Sequence, residues 1–150
     1  MGTSCSSSGT ADEPEGLPPL LTSSVAVVGG GLVGLFFAIE LKLRCPRLAI
    51  TIFEKRATYA RKHQLRIARD SLTMVALDVR WSELLQGFLP DISTAGLECG
   101  LKKFSAELGI FTRIQEVTKL KMLVGFDFVV ATDGRRSQIR KTIANKAECD

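Results

Sequence analysis

A three-layer α/β fold around a parallel sheet is what this sequence predicts, and three neighbouring observations predict it. A short apolar run, Val25-Ala26-Val27-Val28, ends in consecutive glycines. A helix-forming stretch from Leu32 to Leu43 follows, and a second apolar run, Leu48 to Phe53, comes after it. Two buried strands joined through a helix run parallel, because such a connection needs a crossover rather than a turn. Their near-continuous apolar character suits strands covered on both faces.

The remaining elements follow in chain order. Residues 1–23 are rich in Ser, Gly, Pro and acids and read as a disordered leader, with order beginning near Ser24. The first helix is apolar through Leu35, Phe36, Phe37, Ile39 and Leu43, and Pro46 stops it, lacking the N–H that a helix interior needs. Ser71 to Asp78 and Trp81 to Phe88 read as short helical pieces. Ser93-Thr94 is placed to cap a helix from Ala95 toward Leu108, weakened by Gly96 and Gly100 and ended by Gly109. Ile110 to Val117 reads as a strand, Lys119 to Val124 as another that turns at Gly125, and Phe126 to Ala131 as a third. Arg135 to about Asn145 is the last helix. The expected sheet uses the strands near 25–28, 48–53, 110–115 and 126–131, within one truncated domain over 24–145 followed by a tail at 146–150. A last strand missing from such a sheet would leave an edge exposed.

Composition bounds the function. The 150 residues are 45% hydrophobic and 24% charged, ordinary for a soluble globular protein, with a formal net charge of +4. The basic residues are scattered, without the aromatic-interleaved stripe of a nucleic-acid binder, so no nucleic acid is expected as partner. Two basic clusters, Arg61-Lys62-His63 and Arg135-Arg136, lie beside motifs that suggest phosphate handling. Cys5, Cys45, Cys99 and Cys149 are too far apart for a metal knuckle or CxxC pair, and one histidine excludes a histidine-rich metal site, so no metal is expected. The acidic, signal-free N-terminus argues against secretion or transit, which gives a cytoplasmic expectation. Glycines, Glu40 and Lys42 break the run from Val25 to Leu43, so it is not read as a transmembrane segment.

The chemistry starts at Gly29-Gly30-Gly31-Leu32-Val33-Gly34, a G-x-G-x-x-G pattern with its glycines at Gly29, Gly31 and Gly34. The pattern is weak alone; strand before, helix after and strand beyond make it a dinucleotide fingerprint of a Rossmann-like fold. The first glycine allows the tight turn, the second lets a pyrophosphate approach the backbone, and the third lets helix and strand pack closely. The N–H groups and positive end of the new helix then meet the phosphates. Glu54, about twenty residues beyond Gly34, is placed to accept hydrogen bonds from the adenosine ribose hydroxyls. An acid there repels a 2′-phosphate, which disfavours NADP in this site.

The segment Phe126–Arg140, FDFVVATDGRRSQIR, discriminates between FAD and NAD. An apolar strand, two small residues, Asp133-Gly134, Ser137 and Arg140 resemble the D-G motif of the group A flavin-dependent monooxygenases, the aromatic-ring hydroxylases. The resemblance implies FAD as cofactor, places Asp133 beside its ribose and pyrophosphate, and brings NAD(P)H in as reductant. Arg135, Arg136 and Arg140 are weaker candidates, with a surface helix as their plain alternative. Arg66 stands where the family keeps a phosphate-binding arginine, about a dozen residues after the ribose acid. Glu54-Lys55-Arg56 followed by Arg61 and His63 is similar to the MICAL monooxygenases, in which the corresponding arginine and an asparagine touch FAD; here His63 replaces the asparagine.

The resemblance covers most of residues 24–140, with its middle only loosely matched, and the sequence departs from the family in its third motif and in showing no substrate-binding sheet. The family's third motif, a Gly-Asp whose aspartate contacts the ribitol, has no counterpart in this sequence. The resemblance therefore implies the FAD-binding portion of a flavin-dependent monooxygenase-like oxidoreductase, able to hold the adenosine diphosphate half with little to cover the ring. No catalytic residue is singled out, and whether the chain is itself an enzyme stays open. Two alternatives remain beside it: an NAD-binding or redox-sensing module, and a catalytically silent product acting through a protein partner.

Overall fold

The computed structural model of the chain describes residues 22–58, 63–72, 75, 78–135 and 137–147. Arg61, Arg136, the leader up to residue 21 and the tail beyond 147 lie outside that set. In chain order the elements are β1 (Ser24–Val28), α1 (Leu32–Arg44), β2 (Ala49–Glu54), β3 (Gln64–Arg66), α2 (Val79–Gln86), β4 (Asp91–Ser93), α3 (Thr94–Glu107), β5 (Phe111–Ile114), β6 (Phe128–Ala131) and α4 (Gln138–Ala147).

The four strands foreseen from the apolar runs form one parallel sheet in the order β5-β2-β1-β6. At its centre Val27 stands opposite Ile52 on one side and Val130 on the other. Alternation then sorts the side chains onto two faces. Val25, Val27, Ile50 and Ile52 pack with α1, α2 and α3, while Ala26, Val28 and Phe53 pack with Val117, Leu123 and Ile139 of the opposite layer. The result is the expected three-layer α/β sandwich.

The first face is the heavier one. Helix α1 buries Gly34, Leu35, Ala38 and Ile39, the spacing of a single helical stripe. Trp81 from α2 is fully buried, 5.2 Å from the ring of Phe36 and stacked at 5.3 Å on that of Phe104. Its indole Nε1 donates to Glu40 Oε1 at 2.6 Å, so the polar atom of the largest core side chain is satisfied. Truncating such a residue costs about 3–5 kcal/mol. Helix α3 lies close to Phe88 because Gly100 has no Cβ, which would sit 2.6 Å from that ring. Ser93 does cap α3, accepting from Gly96 N–H at 3.0 Å, and Gly109, with φ +74°, ends it.

Among the described residues the second face carries α4, a 3-10 turn at Leu120–Leu123, and Val117 and Phe126 from the connections beside it. Both outer strands keep large apolar side chains in solvent, Phe111 at 60% and Phe128 at 59% exposure.

One reading needs correction, one falls partly outside the described residues, and one pairing was not anticipated. Lys119 to Val124 is not a strand. Leu120 and Leu123 are three apart, so one tight helical turn points both at Ala26, Val28 and Phe53, whereas a strand would turn them to opposite sides. The helical piece read over Ser71 to Asp78 lies partly outside the described residues, which leave out 73, 74, 76 and 77; a 3-10 turn occupies Arg69–Leu72, and Asp78 caps α2 by accepting from Trp81 N–H at 3.0 Å. The antiparallel pair β3 and β4, with Leu65 opposite Ile92, was not anticipated.

Candidate dinucleotide site

At the C-terminal end of β1 the chain must reverse into α1 without side chains in the way. Gly29 has φ +110°, and its N–H donates to Phe53 O at 2.8 Å, fastening the turn to β2. A Cβ at Gly29 would stand 2.6 Å from Asp133 N, so the turn lies directly against the chain leaving β6. A Cβ at Gly34 would collide with the Gly29 carbonyl oxygen and stand 2.7 Å from Thr132 Oγ1. The third glycine thus lets the helix sit on the turn and on β6, the close packing its position implied. Gly31 is the N-cap of α1 and supplies no side-chain cap, and no acid occupies the first turn. The orphan N–H groups and positive end of this thirteen-residue helix are left for another acceptor.

Glu54 closes β2 and is only 5% exposed. Its Oε2 accepts from Gly30 N–H at 2.7 Å and its Oε1 from Arg56 N–H at 2.9 Å. A buried carboxylate needs such donors to be tolerated. Each oxygen can accept a second bond, so a vicinal diol can still be held. Gly30, between the first two glycines of the pattern, matters as well: a Cβ there would be 2.8 Å from Glu54 Cβ.

Turn and carboxylate open onto one cavity of about 420 Å³. Its wall includes Gly29, Gly31, Glu54, Lys55 and Asp133, five of the residues singled out from sequence. Gly34 lies behind the turn. Arg56 is exposed and takes part through its backbone N–H. His63 is exposed and off the wall, its carbonyl accepting from Thr94 N–H at 2.8 Å. Arg66 is also off the wall, on β3, where its Nε pairs with Asp91 Oδ1 at 3.2 Å. In the D-G segment Ser137 caps α4 by accepting from Arg140 N–H at 2.9 Å, and Arg140 Nη2 donates to Arg135 O at 2.9 Å. Both are thereby engaged in closing the turn.

Sequence reasoning missed part of the wall. Thr132 hydrogen-bonds through Oγ1 to Gly29 O at 2.8 Å, locking the D-G segment to the glycine turn. Thr94 and Glu98, one turn apart on α3, and Glu116 also line the cavity. Glu98 left a signal: it is an acid within the apolar pattern Leu97, Leu101, Phe104. The charged groups described on the wall are Glu54, Glu98, Glu116 and Asp133 against Lys55. Lys55 approaches Glu116 at 3.8 Å with both side chains more than half exposed, a weak surface pair. The uncapped helix end, the glycine cradle and the buried Glu54 carboxylate have the chemistry to hold the adenosine diphosphate half of a dinucleotide, backbone N–H groups on its phosphates and the acid on a diol.

No protein-family model matches the sequence. A 42-residue stretch is 43% identical to the bifunctional protein ThiO/ThiG of Synechocystis sp., covering 28% of this chain and 6% of that protein. Among solved structures, the tetrameric form of 2-methyl-3-hydroxypyridine-5-carboxylic acid oxygenase is similar with a TM-score of 0.53 and 21% identity, over 65% of this chain and 33% of its own. The chain thus spans about a third of that oxygenase, and the likeness is one of fold.

Proposed function

We propose that this chain binds FAD, holding its adenosine diphosphate half as the cofactor-binding portion of a flavin-dependent monooxygenase-like oxidoreductase. The observation that carries this reading is the convergence of Gly29, Gly31, Glu54 and Asp133 on one cavity at the open end of α1. In this reading the first-turn N–H groups of α1 take the pyrophosphate, and Glu54 takes the adenosine ribose. Asp133, held against Gly29 by the Thr132 bond, lies beside the cofactor. When bound, the flavin supplies the redox chemistry. The fold shared with an oxygenase supports the assignment, as does the D-G motif; the local MICAL likeness through Lys55, Arg56, Arg61 and His63 belongs to the same proposal.

An NAD-binding module is the second reading. The glycine turn and Glu54 serve NAD equally well, and Arg66, the arginine the FAD family would use on phosphate, sits off the wall paired to Asp91.

The test is the visible spectrum of the purified chain after mixing with excess FAD and gel filtration, with Glu54→Ala and Asp133→Ala alongside. A retained flavin band that weakens in both variants supports FAD. A folded chain that retains no flavin, while calorimetry detects NAD, rejects FAD in favour of the second reading.

A further inference from the structure

The buried face of α3 comprises Thr94, Leu97, Glu98, Leu101, Phe104 and Ser105. Glu98 is the one charged group on it, at 6% exposure, and it lines the same cavity as Glu54. A carboxylate taken out of water needs hydrogen-bond donors. Lys102, one turn on, brings Nζ to 2.7 Å from Glu98 Oε1, balancing the charge. Oε1, sealed from solvent, is taken up by that ion pair, and among the described residues no hydrogen-bond donor is found on Oε2, the oxygen left for the cavity. Helix stability does not require this burial, since an i,i+4 Lys–Glu pair works as well on the outer face.

We infer that Glu98 is a second hydroxyl-reading carboxylate of this cavity, taking the polyol on the far side of the pyrophosphate from Glu54. The inference rests on the dinucleotide reading above and extends it. Phosphate oxygens carry no proton at neutral pH and are repelled by a carboxylate, so Glu98 selects against them. Hydroxyl groups supply donors to Oε2, the oxygen that the Lys102 ion pair does not engage. A dinucleotide presents two polyhydroxylated units, one on each side of its pyrophosphate. Glu54 lies at the end of β2 beside the glycine turn and suits the adenosine ribose. Glu98 enters from a different element, α3, and is left for the second unit, the ribityl chain of FAD or the distal ribose of ADP-ribose. Lys102 is the positioning residue that holds Glu98 in place through their 2.7 Å ion pair.

The experiment measures calorimetric affinities of the full chain for ADP, ADP-ribose and FAD, with Glu98→Gln, Glu98→Ala and Glu54→Ala alongside and thermal melts as folding controls. ADP has the adenosine ribose and pyrophosphate but no second polyol. Loss of a charge-assisted hydrogen bond corresponds to about a tenfold or greater weakening. Glu98→Gln is expected to weaken FAD and ADP-ribose by that factor and ADP by less than about twofold, while Glu54→Ala weakens all three. Equal losses for ADP and FAD in the Glu98 variants, or no loss in either, overturn the inference and leave the dinucleotide reading standing. Absence of binding of all three to the folded wild type overturns both.

Discussion

Substituting Glu54 by glutamine removes a charge and one acceptor while preserving the side chain's shape. The carboxylate accepts from two backbone N–H groups, Gly30 at 2.7 Å and Arg56 at 2.9 Å. Glutamine has one carbonyl oxygen, so its NH2 must face one of these donors. The oxygen is expected to keep the buried Gly30 N–H, leaving the Arg56 N–H opposed by another donor. A hydrogen bond to a charged group contributes about 1.5–3 kcal/mol, and a neutral one about half that. One such bond is lost and the other is weakened, which sums to roughly 2–4 kcal/mol. That is a large fraction of the 5–15 kcal/mol or so that holds a domain of this size. With a urea slope of about 2 kcal/mol/M, in the middle of the usual range, the unfolding midpoint should fall by about 1–2 M. Urea titration followed by tryptophan fluorescence reads this directly, since the chain has one tryptophan, the buried Trp81. Gly30→Ala supplies a second arm, because its Cβ would press on Glu54 Cβ at 2.8 Å and displace the same carboxylate. The double variant should then lose less than the sum of the singles. A Glu54→Gln midpoint unchanged within about 0.5 kcal/mol, or strict additivity with Gly30→Ala, would refute the claim that this carboxylate braces the turn.

Three further outcomes are expected. Gly34→Ala should lower the melting temperature despite alanine's better helix propensity, since overpacking against the Gly29 carbonyl costs about 1–3 kcal/mol against at most about 1 kcal/mol gained, and it should weaken FAD retention by shifting the turn. Trp81→Phe keeps an aromatic ring but deletes the donor to Glu40 Oε1, and calorimetric unfolding should register a loss of about 1.5–3 kcal/mol plus the packing change. Asp127 has its carboxyl held below the usual 3.8 by the Ser24 backbone N–H first and the Ser24 hydroxyl second. A depressed folded value means stabilisation that is complete above the unfolded value and is lost as pH falls through the folded one. In acid titrations the stability gap between wild type and Asp127→Asn should therefore be constant above about pH 3.8 and close as pH falls below it; a gap that persists unchanged below that pH would remove Asp127 from the account.

The half of the molecule nearest the glycine turn was legible because each local choice agrees with the next. An apolar run, glycines, a helix, a second run and Glu54 admit one supersecondary unit, and the structure places them as β1, α1 and β2. Ser93 and Gly109 bracketed α3 for equally local reasons, a cap and a left-handed stop. What stayed hidden depends on partners distant in sequence. Strands β3 and β4 are three residues each, too short to show a period, and they pair residues such as Arg66 and Asp91 across an intervening helix. The 3-10 turn at Leu120–Leu123 alternates like a strand in sequence, and only the presence of Ala26, Val28 and Phe53 beneath it decides the matter. The site divided in the same way. Gly29, Gly31, Glu54 and Asp133 of the glycine, acid and D-G signatures reach the cavity, whereas Glu98 gets there because α3 packs on α1, which no motif announces.

The strand order also sets a schedule for the nascent chain. β1 is one of the two inner strands of the sheet and precedes the other described strands in sequence, yet its two neighbours arrive at different times. β2 follows within one helix, while β6 pairs with it through residues such as Val25 and Phe128, and the Ser24–Asp127 tie spans 103 positions. At about 5–20 residues per second, ribosomal elongation leaves one flank of that apolar strand unzipped for roughly 5–20 s. Closing so distant a pairing is slow once begun. During that interval the row of N–H and C=O groups along Ser24–Val28 is an adhesive seam, and a helper that shields it in transit would do more for the yield of native protein than any added contact in the finished core.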